Sequence, residues 1–156
     1  MKAILTTAAT LVVLSGAAFA ESHAAMGDAE AGEKEFRKCK ACHAIVDDEG
    51  EAIVRGGKTG PNLYNIVGSQ AGSDPEFNRY SDTIVELGEE GLVWTPEELA
   101  AYIPNAREYL QEKSGDSSVR SAMTPQRLDN VDDMVAYLVS VSPDYDPEEE
   151  MEDSDS

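Results

Sequence analysis

Histidine, cysteine and tryptophan are the scarce residues of this 156-residue chain, at two, two and one. So small a set excludes most metal cages: a tetrahedral zinc site on Cys39 and Cys42 would need His23 or a carboxylate beside His43, which is poor zinc chemistry. Positive charge is also scarce, with 12 Lys and Arg against 31 Asp and Glu and a net charge of −19. That imbalance argues against nucleic acid or anionic membrane surfaces as partners. Beyond residue 20 there is no apolar run long enough to span a bilayer, so stable membrane insertion is not expected. Residues 1–20 carry a basic start at Lys2, an apolar run over 8–14 and the small-residue pattern Ala18-Phe19-Ala20. These are the parts of a secretory signal cleaved after Ala20. The rival, a membrane anchor, is opposed by Thr6, Thr7, Thr10, Ser15 and Gly16, which interrupt a stretch already short for a span.

What is present is concentrated in Cys39-Lys40-Ala41-Cys42-His43. C-x-x-C-H is the pattern of c-type haem attachment. Two thiols three positions apart can each add to one vinyl group of a porphyrin, and the next residue then projects its imidazole at the iron. The pattern predicts one haem c, covalently bound through Cys39 and Cys42, with His43 as a metal ligand. A redox dithiol is the competing reading, but such a pair usually follows a strand in a βαβ unit, and no such pattern surrounds it. Covalent haem is attached outside the cytoplasm, which agrees with export and points to a bacterial periplasm.

The other side of the iron decides between electron transfer and ligand chemistry. His23 lies in an Ala-rich leader beside the cleavage site. Met26 precedes the first helix, Met134 fits an apolar helix face with Val131, Val135 and Leu138, and Met151 is in an acidic tail. Met123 remains, in the loop Ser121-Ala122-Met123-Thr124-Pro125. A methionine in a polar loop is harder to explain by packing than one on a helical stripe, although gap-filling is the competing role. A thioether is a soft, neutral donor, and His/Met ligation raises the reduction potential and closes the iron to exogenous ligands.

From about residue 27 to 142 the chain resembles the class I cytochromes c, and among them the larger c2 and c550-like carriers of bacteria. Gly32 and Phe36 stand where the family's first helix packs against its last, Gly60-Pro61-Asn62-Leu63 matches a family loop, and Tyr137 keeps the aromatic of the last helix. The resemblance implies that the Pro61 carbonyl accepts a hydrogen bond from the second nitrogen of His43, fixing its orientation. It implies that Tyr80, within Phe77-Asn78-Arg79-Tyr80-Ser81, and Trp94 bind the haem propionates, and that Tyr102 lies near the methionine ligand. Tyr80 and Trp94 also suit the core as plain aromatics. Mitochondrial members carry an arginine near the propionates where Ser69 stands here, and residues 47–57 and 112–120 read as surface-loop insertions.

The expected architecture is an all-α class I cytochrome c fold wrapped around one haem, with helices near 29–39, 81–87, 95–103, 105–113 and 130–141. Thr95-Pro96-Glu97-Glu98 reads as a helix start with a capping box. A short extended piece is expected at 52–55. The organisation is a signal at 1–20, one domain over 21–143 with its core at 27–142, and a tail at 144–156. No basic residue follows Arg127 whereas eleven acids do, so the tail is expected to be disordered and solvated. The implied function is a monomeric electron carrier, not an enzyme, docking transiently with redox donor and acceptor complexes. Lys34, Arg37, Lys38, Lys40, Lys113, Arg120 and Arg127 are candidates for a weakly basic docking face. A haem subunit of an oxidoreductase complex and a ligand-binding or peroxidatic haem protein are the competing functions.

Overall fold

In the computed structural model, which describes residues 27–147, the first helix begins where Asp28 turns its carboxylate onto the N–H groups of Glu30 (2.9 Å) and Ala31 (3.2 Å). These donors would otherwise be orphaned at the helix start. Helix α1 (Ala29–Glu35) then tightens into a 3₁₀ turn, Phe36–Lys38. The pattern predicts one helix to Cys39; instead the Cys39 N–H bonds to Phe36 O three residues back (2.8 Å), and the tighter turn delivers the cysteine. Four more helices follow: α2 (Asp82–Glu89), α3 (Pro96–Tyr102), α4 (Ala106–Ser114) and α5 (Val131–Ser140).

Helix α3 starts as expected at Thr95 and Pro96 but not at the Glu98 side chain. Thr95 Oγ1 accepts from the Glu98 N–H (3.2 Å) and Pro96 occupies the first turn. The reciprocal half of the capping box is absent: the Thr95 N–H bonds to Val93 O (2.9 Å), and the Glu98 carboxylate takes Tyr109 and Lys113 instead. A cation and a phenol make stronger partners for a carboxylate than a backbone amide already satisfied nearby.

The principal helix contact is α1 across α5. Phe36, 1 % exposed, meets Tyr137 edge to face with ring centroids 5.5 Å apart, and Met134 fills the same layer from α5. The crossing is so close that a Cβ on Gly32 would stand 1.9 Å from the Asp133 carbonyl oxygen and 2.8 Å from Tyr137 Cβ.

The expected extended piece has a partner. Strand β1 (Ile45–Val46) pairs antiparallel with β2 (Ala52–Val54), Ile45 opposite Val54, with an irregularity after Ile45. Asp47 closes the turn by accepting from the N–H groups of Glu49 (3.0 Å) and Glu51 (2.8 Å), so the insertion over 47–57 is an ordered hairpin hung from the buried Ile45. Packing also continues past the point where composition starts the tail. Asn65 Nδ2 donates to Asp144 Oδ2 (2.8 Å), and the Tyr145 ring lies against Gly68. A single aromatic among acids is enough to anchor this piece of chain to the domain.

Among the described residues no helix is long and apolar enough to cross a membrane. The expected signal at 1–20, His23, Met26 and the acidic segment 148–156 with Met151 lie outside the described residues.

An alanine in a helix interior is ordinarily favoured over glycine by about 1 kcal/mol, so Gly32→Ala tests the crossing by its sign. The contact with Asp133 predicts a loss of about 1–3 kcal/mol from overpacking, read as a lower urea midpoint at unchanged slope.

Candidate functional site

The Cys39 to His43 turn is held by its own backbone and by the segment that follows the hairpin. Cys42 N–H and His43 N–H both bond to Cys39 O (3.0 Å each), Gly57 N–H bonds to Lys40 O (2.9 Å) and Gly60 N–H to Cys42 O (2.9 Å). The last of these brings the next carbonyl into line: His43 Nδ1 donates to Pro61 O at 2.8 Å. Because a carbonyl can only accept, Nδ1 carries the proton and Nε2 of the neutral ring keeps its lone pair. Burial pushes the imidazole below its ordinary pKa, against the Pro61 contact that raises it, so the ring is neutral at pH 7. A Cβ on Gly60 would lie 2.3 Å from His43 Cε1 and 2.7 Å from both ring nitrogens, so glycine alone lets the loop pass under the ring.

Cys39 is partly buried against the core and Cys42 is exposed. Burial, then the Glu35 charge, pushes the Cys39 thiol up to about 11. A redox dithiol depends on a depressed thiol, so this microenvironment is the wrong one for exchange chemistry.

The remaining expected residues fall in two groups. Trp94, 4 % exposed, is fixed by backbone bonds on both sides, its N–H to Ser69 O (2.8 Å) and its C=O from Gly68 N–H (2.9 Å). Its ring lies 4.7 Å from Tyr102, which projects from the last turn of α3. Burial raises the Tyr102 phenol, opposed by the Ser121 hydroxyl that it faces. Ser121 Oγ in turn accepts the Met123 N–H (3.1 Å), and Met123 is half-buried against the core. Tyr80 makes its ring contact with Phe77, edge to face at 4.8 Å, and its phenol is pushed up to about 12 by burial and then by Asp74, with Tyr102 a further electrostatic neighbour. Ser69 Oγ donates to Ile66 O (2.7 Å) and serves its own turn.

No family model matches the chain. It is 47% identical over 137 residues to a cytochrome c2 of Rhodobacter capsulatus, covering 86% of this chain and 95% of that protein. It is 48% identical over 120 residues to a cytochrome c-550 of Paracoccus pantotrophus, covering 76% and 89%. The chain belongs to the class I cytochromes c of the c2 and c-550 type. Solved structures agree: ferric cytochrome c-550 from Paracoccus versutus superposes with a TM-score of 0.71 at 45% identity, covering 75% of this chain and 99% of that one. Cytochrome c2 from Rhodobacter capsulatus gives 0.70 at 48%, covering 74% and 98%. Like its relatives, this cytochrome binds one haem c covalently, with Cys39 and Cys42 fitting the attachment motif, and it is an electron carrier and not an enzyme. Its own side chains fit that group: the glycine-floored imidazole offers Nε2 in the same turn as the two thiols.

Sequence reasoning missed what holds the methionine loop. Gln111 on α4 donates through Nε2 to the carbonyls of Ser117 (2.7 Å) and Val119 (3.1 Å), so part of the insertion over 112–120 is stapled to the helix before it. On the other side of Met123, Lys38 Nζ reaches Glu35 Oε1 (2.8 Å), Arg127 O (3.0 Å) and Asp129 Oδ2 (3.3 Å), and Glu35 Oε1 also accepts the Asp129 N–H (2.8 Å). This clamp joins the haem-binding turn to the chain leaving the methionine loop. The i, i+3 spacing of Glu35 and Lys38 was visible in the sequence, but their third partner is 91 residues from Lys38.

Donation from Lys38, then from the Asp129 backbone, lowers the Glu35 carboxyl from 4.5 to about 2. A carboxyl depressed on folding adds stability above its unfolded pKa, and the contribution is lost as pH falls through its folded value. The stability difference between the parent and Glu35→Gln is therefore expected to be full above about pH 5 and to shrink steadily towards about pH 2. Urea titrations of both proteins across that range measure it, and a difference independent of pH would remove the charge from the clamp.

Proposed function

We propose that this cytochrome is a soluble periplasmic shuttle whose haem iron is held between His43 and Met123, carrying electrons from a quinol-oxidising complex to a terminal acceptor. An oxidase, a photosynthetic reaction centre or a reductase of nitrogen or sulfur chemistry would serve as that acceptor. The single observation that carries the ligand assignment is the His43 Nδ1 to Pro61 O bond, which leaves Nε2 as the ring's donor atom. When bound, the haem supplies a one-electron couple at its iron. The chain's residues supply the rest. Pro61 and Gly60 orient the imidazole, and an orienting partner of this kind makes the ring a stronger donor. Ser121 holds the backbone of Met123, Gln111 and the Glu35–Lys38 clamp restrain the loop on its two sides, and Trp94 and Tyr80 are assigned to the propionates, where a buried carboxylate needs donors. A loop fixed in this way keeps the thioether from exchanging with outside ligands, which separates a carrier from a ligand-binding haem protein.

Met123→Ala tests the ligand. The reduced variant is expected to bind carbon monoxide, the oxidised form to lose the methionine–iron charge-transfer band, and the potential to fall. Retained low-spin spectra with an unchanged potential would overturn the assignment.

Docking rests on fewer charges than composition suggests. Lys34, Lys38 and Lys113 are taken by Glu30 (2.8 Å), Glu35 (2.8 Å) and Glu98 (2.5 Å). Arg37, Lys40 and Arg55 have no such carboxylate partner among the described residues, and they line one open cleft of about 500 Å³ beside the exposed Ile53, with Glu33 the only acid there. This cationic corner of an acidic protein orients encounters with a negatively charged partner. Electron-transfer rates with such a partner are expected to fall as ionic strength rises and to fall less steeply in Lys40→Gln. A flat salt response in the parent would remove the steering role.

A further inference from the structure

Trp94, Tyr102 and Tyr109 form a contiguous aromatic cluster. Ring centroids lie 4.7 Å apart from Trp94 to Tyr102, 5.4 Å from Tyr102 to Tyr109 and 6.1 Å from Trp94 to Tyr109. Trp94 and Tyr109 are 4 % and 6 % exposed. The three rings differ in what their polar atoms meet. Tyr102 faces the neutral Ser121 hydroxyl. Tyr109 donates its hydroxyl to Glu98 Oε2 at 2.5 Å, and Lys113 holds the other carboxylate oxygen at 2.5 Å while its ammonium lies 5.5 Å from the Tyr109 ring centre. This arrangement spans α3 and α4 and reaches the surface, where the Lys113 and Glu98 side chains are 40% and 25% exposed.

A phenol gives up an electron easily only if its hydroxyl proton leaves with it, because the oxidised phenol is a very strong acid. A buried phenol without a base would have to keep a full positive charge in low dielectric, which is costly. Burial raises the Glu98 carboxyl, but donation from Lys113 and Tyr109 outweighs it, and the group is ionised at pH 7. A proton acceptor is therefore already hydrogen-bonded to one ring of the cluster.

We propose that Tyr109 and Glu98 form a second redox site, a proton-coupled tyrosine that collects oxidising equivalents from Trp94 and brings them to the surface. An outer-sphere one-electron oxidant, a trivalent ruthenium polypyridyl, takes one electron from the Trp94 indole, which unlike a phenol can hold the hole without first losing a proton, and is itself reduced to the divalent state. The oxidised ring recovers that electron from Tyr109. The Tyr109 O–H bond breaks, its proton passes to Glu98 Oε2, and the products are a neutral phenoxyl radical and a neutral carboxylic acid. The positive hole is thus cancelled against the carboxylate instead of being stranded in the core. Lys113 keeps its charge and leaves Glu98 in contact with solvent. This role is separate from the carrier function, since it needs no change at His43 or Met123.

The test is flash-quench oxidation of the ferric holoprotein by photogenerated tris(bipyridine)ruthenium(III), with a nitroso spin trap and peptide mass spectrometry to locate the radical. The adduct is expected on Tyr109. Tyr109→Phe abolishes it, and Glu98→Gln lowers it at least several-fold and moves trapping to Tyr102 or Trp94. In the parent, radical arrival at Tyr109 is expected to slow in D₂O because the proton moves with the electron, a readout that requires no variant to fold. Trapping on the outlying Tyr64 or Tyr145, an undiminished Tyr109 adduct in Glu98→Gln, or the same rate in H₂O and D₂O would each overturn the proposal.

Discussion

One hydrogen bond, from His43 Nδ1 to the Pro61 carbonyl, is the constraint on which the haem end of this cytochrome depends. It selects one tautomer of a ring that otherwise has two, and it does so with a backbone acceptor that cannot change its protonation state. The bond needs the 56–61 segment close to the haem-binding turn. That approach is enforced by two ladder-like contacts, Gly57 to Lys40 and Gly60 to Cys42, and is possible because Gly60 has no side chain to strike the imidazole. The hairpin between turn and loop brings the chain back to this place. Its turn is closed by Asp47 and its base is fixed by Asn62, whose side-chain amide both accepts from Val46 N–H (2.9 Å) and donates to Val46 O (2.7 Å).

The far side of the molecule is built on a different balance. Gly32 gives up helix propensity so that α1 and α5 can cross at backbone distance, and the contact is repaid by Phe36, Tyr137 and Met134 packing around it. The α1–α5 pair is the rigid frame from which the haem-binding turn emerges at one end and the methionine loop returns at the other. The clamp of Lys38 with Glu35, Arg127 and Asp129 links those two ends directly. The haem-binding turn and the Met123 loop are thus referred to the same frame.

Much of this was legible in the residues because the relevant signals are local. Cysteines three apart followed by histidine, Thr95 before Pro96, and the apolar period of α5 each act within a turn or two of chain. The family resemblance supplied the longer-range partner of His43, which spacing alone did not. What could not be read was mostly competition between partners. Glu98 is correctly spaced to cap α3, yet it turns to Tyr109 and Lys113, 11 and 15 residues away, because these offer a phenol and a cation. Lys34, Lys38 and Lys113, which look free in the sequence, pair with Glu30, Glu35 and Glu98, while Arg37, Lys40 and Arg55 come together along one cleft. Tyr109 carries no local mark of its role, since its significance comes from where α3 and α4 bring three rings together.

A neutral, Nδ1-protonated His43 is the foundation of the haem-binding turn. ¹⁵N-edited proton NMR of the reduced holoprotein measures it most directly. The predicted result is a His43 proton coupled to Nδ1, exchanging slowly with solvent, and no proton on Nε2. A proton found on Nε2, or an Nδ1 proton exchanging as freely as that of an exposed imidazole, would contradict it.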